Sequence, residues 1–378
     1  MRFVHLSDLH IGKRVNDFSM IEDQKYILDK ITDIVKEEKA DAVIIAGDIY
    51  DKSVPPAEAV QVFDDFLNGL TESVKSVYII NGNHDSAERV SFGSRQMEKG
   101  GVFIAPVFNG EIKRYTEDDE YGKINLYLLP YVKPVSVRPF FEEGTITDTY
   151  SAVKAVIDKT GIDKDERNII VSHQFITGAE RSESEEIYVG GSDNVEAEVF
   201  ADFDYAALGH LHRPQHIGRE TVRYCGTPLK YSFSEADHKK SVTVVDMKEK
   251  GNVEIRTIPL VPLRDMRHIK GTYEYLTEKK NYEGTGVEDY LHITLLDEEE
   301  VYDAIGRLRS IYPNIMRIDY ENRRTSADNE IGTVDVGSSK SAIELFEELF
   351  RLQNNKDFTE SQRELCAEII GEIWEVAK

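Results

Sequence analysis

Five short signatures recur between Asp8 and His212, and each closes a run that reads as a buried strand. They are S-D-L-H (Asp8, His10), G-D-I-Y-D (Asp48, Asp51), G-N-H-D (Asn83, His84, Asp85), S-H-Q (His173) and G-H-L-H (His210, His212). The β-branched runs before them are Phe3–Leu6, Ala42–Ala46, Val77–Ile80, Ile169–Val171 and Tyr205–Leu208. Short apolar runs ended by turn residues are the mark of buried strands. A helix of roughly Ser19–Glu38, with Ile27, Leu28, Ile31, Ile34 and Val35 at helical spacing, separates the first two. Pro55-Pro56 opens another through Val60, Phe63, Phe66, Leu67 and Leu70. Strands alternating with helices require a layered α/β domain, in which ligands collect beyond the carboxyl ends of the strands. All five signatures are expected there, in one site.

The residue types suit a pair of metal ions. Hard divalent cations take carboxylate oxygens, and imidazole suits Mn, Fe or Zn. In D-x-H the period of two along a strand is expected to send Asp8 and His10 toward the same ion. Asp48 has two oxygens and can bridge two ions, and Asn83 adds a neutral oxygen. His173, His210 and His212 complete two shells. Two ions about 3.5–4 Å apart bind a phosphate diester, activate a bridging water and stabilise in-line attack. His84 is expected to point away from both shells, placed to stabilise transition-state charge or to protonate the leaving oxygen. Either Asp51 or Asp85 is expected to orient it, with Asp51 preferred. His5 reads as a core residue, Cys225 as a small buried one, and His216, His238, His268 and His292 as ordinary polar positions.

Beyond the signatures, Ser241–Met247 and Val253–Ile258 read as a hairpin, and Pro259 and Pro262 mark a boundary near residue 262. The expected organisation is a main domain over 1–262, a small α+β unit over 263–330, a linker at 331–340 and a helical tail over 341–378. In the α+β unit, helix is expected over Glu299–Tyr312. Ser341-x-x-Glu344 and Thr359-x-x-Gln362 are capping-box patterns that open two tail helices. Two short amphipathic helices bury little apolar surface alone, so docking onto another protein is expected.

Charge argues against a simple polyanion binder. The net charge of −24 gives a field that repels nucleic acid, although bound cations and a local basic strip can offset it. Cys225 and Cys366, the only cysteines, form no C-x-x-C pattern, which suits a reducing cytoplasm. No apolar run approaches the length of a membrane span, and the chain enters a strand directly, without a signal peptide.

The ordered set D-x-H, G-D-x-x-D, G-N-H-D, H and G-H-x-H resembles the calcineurin-like metallophosphoesterase superfamily over residues 1 to about 262. D-L-H-I-G-K, G-H-L-H-R-P-Q and C-G-T-P-L-K-Y-S-F-S-E, with the appended unit and tail, are similar to its bacterial DNA-repair nucleases. The resemblance implies a layered α/β metallophosphoesterase sandwich with a small α+β capping domain and a C-terminal helical tail. It implies one Mn on Asp8, His10, Asp48 and His212, another on Asp48, Asn83, His173 and His210, and His84 as the catalytic histidine. Archaeal and eukaryotic relatives carry a second catalytic histidine where this chain has Asp51, so the role of Asp51 stays open. DNA is the implied substrate, an ATPase subunit the implied partner of the tail, and a homodimer the implied assembly. Lys13, Arg14, Arg89, Arg95, Arg213, Lys230 and Tyr231 then form a candidate DNA-binding strip. The competing reading is a phosphatase or small-molecule phosphodiesterase, although protein phosphatases of this superfamily carry G-N-H-E. A non-catalytic DNA tether is disfavoured by the complete ligand set.

Overall fold

The computed structural model describes residues 1–182, 185, 194–322, 342–354 and 357–376. The linker expected at 331–340 and Ser341 of the first capping box lie outside them. Two compact units are present, Met1–Asp265 and Met266–Lys378.

In the first unit, β1 (Arg2–Leu6), α1 (Ile21–Glu37), β2 (Ala42–Ala46), α2 (Ala57–Thr71), β3 (Ser76–Ile80) and β4 (Val102–Ile104) follow one another. Next come β5 (Lys113–Asp119), β6 (Gly122–Leu129), α3 (Thr149–Lys159), β7 (Arg167–His173) and β8 (Tyr205–Gly209). Strands β9 (Gln215–Ile217), β10 (Arg219–Tyr224), β11 (Ser241–Met247) and β12 (Val253–Pro259) complete it. They make two six-stranded sheets, ordered β12-β11-β1-β2-β3-β4 and β9-β10-β8-β7-β6-β5. The strands that carry the five signatures are parallel within their sheets and buried along their whole length apart from Arg2, the first residue of β1. Within each sheet, the signature-bearing strands therefore end at the same edge.

One core lies between the sheets, where Phe3, Ala42, Ile44, Tyr78 and Ile80 meet Ile124, Leu126, Ile169, Val171 and Tyr205. A second packs the outer face of β6, β7 and β8 against Val153, Val156 and Ile157 of α3. Helix α1 buries Ile27, Leu28, Ile31 and Val35, and α2 buries Val62, Phe63, Phe66, Leu67 and Leu70. Val60, expected on the buried face of α2, is exposed instead. The layered α/β architecture expected from the sequence is the one observed. The β5–β6 hairpin was not legible because Lys113–Asp119 is polar, an edge strand with no buried residue.

In the second unit β13 (Met266–Gly271), β14 (Tyr290–Leu295) and β15 (Ile315–Tyr320) form a parallel three-stranded sheet. The helix expected over Glu299–Tyr312 is confined to Ala304–Leu308 (α4), since Asp303 takes a left-handed conformation (φ 47°) at its start. Two tail helices follow, α5 (Ala342–Asn354) and α6 (Glu360–Val376). Thr359 and Gln362 form the reciprocal cap in front of α6. Among the described residues, no helix is long and apolar enough to cross a membrane.

Candidate metal centre

The loops after β1 and β2 lie side by side. Asp8 N–H donates to the Gly47 carbonyl at 3.0 Å, His10 N–H to Asp48 at 3.0 Å, and Ile11 N–H to Ile49 at 2.9 Å. Asp8 (φ 53°), His10 (φ 45°), Asp48 (φ 51°) and His210 (φ 109°) all take positive φ. The expectation that strand periodicity aims Asp8 and His10 is thus corrected: a left-handed backbone aims them. Such conformations cost about 1–3 kcal/mol each outside glycine and persist where surrounding contacts over-determine them. Glycine is required where the loops touch. A Cβ at Gly82 would overlap the Asp48 carboxylate, and one at Gly209 would overlap the Ala46 carbonyl and His173.

The side chains converge on Asp48. Its Oδ2 lies 3.4 Å from His173 Nε2, 3.7 Å from His10 Nε2 and 4.0 Å from His84 Nε2. Its Oδ1 accepts the His84 backbone N–H at 2.9 Å. Asn83 Oδ1 is 3.0 Å from both His173 Nε2 and His210 Nδ1. His10 Nε2 and His212 Nε2 are 3.2 Å apart. Asp8 is held by Ser7 Oγ and accepts the His210 N–H at 3.0 Å. Two groups have ligand atoms within 4.8 Å of one another and can hold a cation: His10, Asp48 and His84, and Asp8, Asp48 and His173. The structure therefore brings together all seven residues expected as ligands, with Asp48 common to both groups. His84, expected to point away from both shells, instead belongs to the first of these groups, although its side chain, unlike those of Asp8, His10, Asp48 and His173, is partly exposed (20%).

The electrostatics suit cations. Burial pushes Asp8 up to about 6, with Asp48 adding to the rise. Burial opposes ionisation of Asp48 too, but His173, His10 and His84 outweigh it and hold its carboxyl well below the usual range. Burial lowers His173, yet Asp48 and Asp8 more than reverse this and raise it to about 9. Burial takes His210 down to about 3 and His10 well below its ordinary value. Two buried carboxylates thus draw a proton onto His173, and a divalent cation bound there would take the place of that proton. At about pH 7.5 metal uptake is expected to release about one proton, because a coordinating imidazole must be neutral. Affinity then falls as pH drops below about 9, where His173 gains its proton. Calorimetry in buffers of different ionisation heat measures the release, and a heat independent of buffer would refute it.

The orienting contact to His84 is neither expected carboxylate. His84 Nδ1 meets the Asp51 backbone carbonyl at 3.0 Å, whereas the Asp51 side chain pairs with Lys13 at 2.7 Å. Asp85 instead stitches two loops, accepting the N–H groups of Gly82, Ile49 and Tyr50 at 2.9, 3.1 and 3.0 Å.

The residues of the expected basic strip differ in exposure and partners. Arg89, Arg95 and Arg213 are exposed, and Arg213 pairs with Glu180. Arg14 donates to the Asp17 carbonyl, and Lys230 pairs with Asp265 at 2.8 Å. Tyr231 is misassigned as a surface contact. It is 3% exposed and donates to the Leu9 carbonyl at 2.6 Å, so it braces the first loop from beneath. Gln24 of α1 joins it, donating to the His10 carbonyl at 2.8 Å and to the Tyr231 hydroxyl at 3.0 Å. Gln24 was not anticipated, and neither was Glu235, which lies 2.9 Å from His212 Nδ1. The only trace of Glu235 in the sequence is the acid that ends C-G-T-P-L-K-Y-S-F-S-E.

Residues 1–214, more than half of the chain, match the family model described as calcineurin-like phosphoesterase. The chain belongs to the calcineurin-like phosphoesterase family. Residues 262–354 match a second model, described as type 5 capsule protein repressor C-terminal domain. The SbcD component of the SbcCD nuclease from Staphylococcus saprophyticus is 35% identical over 322 residues, covering 84% of either chain. Among solved structures, a Thermus thermophilus protein shares 12% identity at a TM-score of 0.37, over 68% of this chain and 98% of its own. A dimetal phosphatase from Danio rerio shares 15% at 0.37, over 69% and 99%. As a member of the calcineurin-like phosphoesterase family with an SbcD-type relative over most of its length, the chain is a metal-dependent phosphodiester hydrolase.

Proposed function

We propose that this chain is a Mn-dependent DNA nuclease acting with an SbcC-type ATPase in DNA repair and recombination. It cuts double-stranded ends as an exonuclease and single-stranded or hairpin DNA as an endonuclease. One observation carries the reading most directly. Two candidate cation groups share the buried Asp48, and the partly exposed His84 belongs to one of them.

Asp8, His10, Asp48 and His212 would hold one ion, and Asp48, Asn83, His173 and His210 the other. When bound, the ions supply Lewis acidity toward the phosphodiester and a water made nucleophilic near neutral pH. The chain's own groups do the rest. A carbonyl only accepts, so the proton on His84 sits at Nδ1, facing Asp51 O at 3.0 Å. Its Nε2 then faces the site and, when protonated, stabilises phosphoryl charge or hands a proton to the leaving oxygen. Lys13, paired with Asp51 beside this contact, together with exposed Arg89 and Arg95, supplies phosphate contacts that position DNA without reading sequence.

The tail supports a partner-binding role. Phe346 and Phe350 of α5 pack on Phe358, and Arg363 pairs with Glu347 at 2.9 Å, making a helical hairpin. Leu349, Leu365 and Ile369 stay exposed, an apolar face for the ATPase. Residues 263–330 act as the capping domain in this reading. The exposed Phe92 (83%) and Met97, on the turns after His84, support a homodimer through the nuclease domain. The protein works in the cytoplasm at the nucleoid, away from membranes.

The test is to give the purified chain Mn with linear DNA, p-nitrophenyl phosphate and a cyclic nucleotide in parallel. Loss of DNA that His84→Ala suppresses supports the reading, and turnover of the small esters alone overturns it. Deleting residues 341–378 is expected to leave Mn-dependent cleavage largely intact while abolishing ATPase binding in a pull-down. Retained binding would remove the tail from the interface.

A further inference from the structure

The run C-G-T-P-L-K-Y-S-F-S-E lies outside the five signatures, and its final acid is buried behind the metal centre. Glu235 is fully buried (0%), and its Oε1 accepts from His212 Nδ1 at 2.9 Å. Its Oε2 accepts from Lys240 Nζ at 2.5 Å. Lys240, also buried, donates to Thr227 Oγ1 at 2.6 Å and to the His212 carbonyl at 2.9 Å. A second acid, Glu185, accepts the His212 backbone N–H at 2.7 Å. His212 is thus gripped at its ring, its N–H and its carbonyl from one side. Its Nε2 is left facing His10 Nε2 at 3.2 Å.

The other imidazoles of the centre have weaker backing. His173 Nδ1 donates to the neutral Ala46 carbonyl at 2.8 Å, and His10 Nδ1 has no hydrogen-bond partner. A carboxylate accepts only, so it fixes the proton on Nδ1 and leaves the Nε2 lone pair directed at the site. It also raises the basicity of the ring as a ligand. Lys240 supplies the countercharge that lets such a carboxylate stay in the core.

We propose that Glu235 is a positioning residue that locks His212 in the Nδ1-protonated tautomer and aims its Nε2 at the cation, with Lys240 as its fixed counter-ion. The proposal rests on the reading of His212 as a ligand. An amide at 235 cannot replace the carboxylate, because its NH2 would face either the Lys240 ammonium or the His212 N–H.

The experiment is a Mn titration by calorimetry of the wild-type chain, Glu235→Gln and His212→Ala, with folding followed by circular dichroism. Glu235→Gln is expected to weaken the step that His212→Ala removes by about 10- to 100-fold and leave the other step unchanged. Unchanged isotherms in Glu235→Gln, beside loss of one step in His212→Ala, overturn the positioning role alone. Unchanged isotherms in His212→Ala overturn the ligand reading and this proposal with it. Long-range 15N correlation spectra of the histidine-labelled wild-type protein give a readout that needs no variant. His212 is expected to show the Nδ1–H tautomer, and an Nε2–H tautomer overturns the proposal.

Discussion

Asp48→Asn is expected to remove both bound metals together and to lower phosphodiester hydrolysis on the order of 10³-fold. The carboxylate belongs to both candidate cation groups, with three imidazole nitrogens within 4.0 Å of Oδ2. An amide of the same shape removes its negative charge and can turn a donor toward ligands that need an acceptor. Oδ1 of the new side chain can still take the His84 N–H, so the loop keeps its backbone contact. Repulsion between Asp48 and Asp8 also disappears, but so does the carboxylate whose attraction raises His173. The metal-free variant is thus expected to melt lower than the metal-free wild type, because a buried ion pair loses one partner. Metal analysis after gel filtration, with thermal melts, checks both parts. Two equivalents of Mn retained at unchanged affinity would show that Asp48 does not bridge.

His84→Ala is expected to reduce kcat by about 10²- to 10⁴-fold while both metals stay bound. Its Nε2 is 4.0 Å from Asp48 Oδ2, and its ring edge packs on His10 at a centroid distance of 4.8 Å. Position alone therefore allows either a ligand or a proton donor. Metal stoichiometry separates the two: loss of one equivalent makes His84 a ligand, and two retained equivalents make it an acid. Leaving-group dependence adds a second reading. A bis(p-nitrophenyl) ester leaves without help from a proton, so the loss should be smaller there than on DNA. Equal losses on both substrates would point to stabilisation of phosphoryl charge instead.

Much of the site was legible because its parts are local. A short β-branched run followed by Asp, Asn or His marks a strand end, and parallel strands set their ends side by side. Asp8, Asp48, Asn83, His173 and His210 could therefore be placed together without knowing the partner of any strand. What failed needed contacts between residues far apart in the chain. Asp51 reaches His84 through its backbone, which no side-chain argument can foresee. Tyr231 follows a lysine and looks like a surface residue, yet its hydroxyl bonds Leu9, 222 positions earlier. The aim of Asp8 and His10 comes from positive φ held by the neighbouring loop, and period-two reasoning contains no such term.

The sequence by itself determined the inventory of candidate ligands, their order and the layered α/β class. These follow from consecutive residues, where strand period and residue chemistry act. Tertiary structure alone decided which atoms face one another. Three loops approach closely enough for Gly82 and Gly209 to be required, and Glu235 comes to stand behind His212 with Lys240 as its counter-ion. Those are properties of packed surfaces, set by exclusion of volume and by burial of charge, and the chain acquires them only when both sheets are in place.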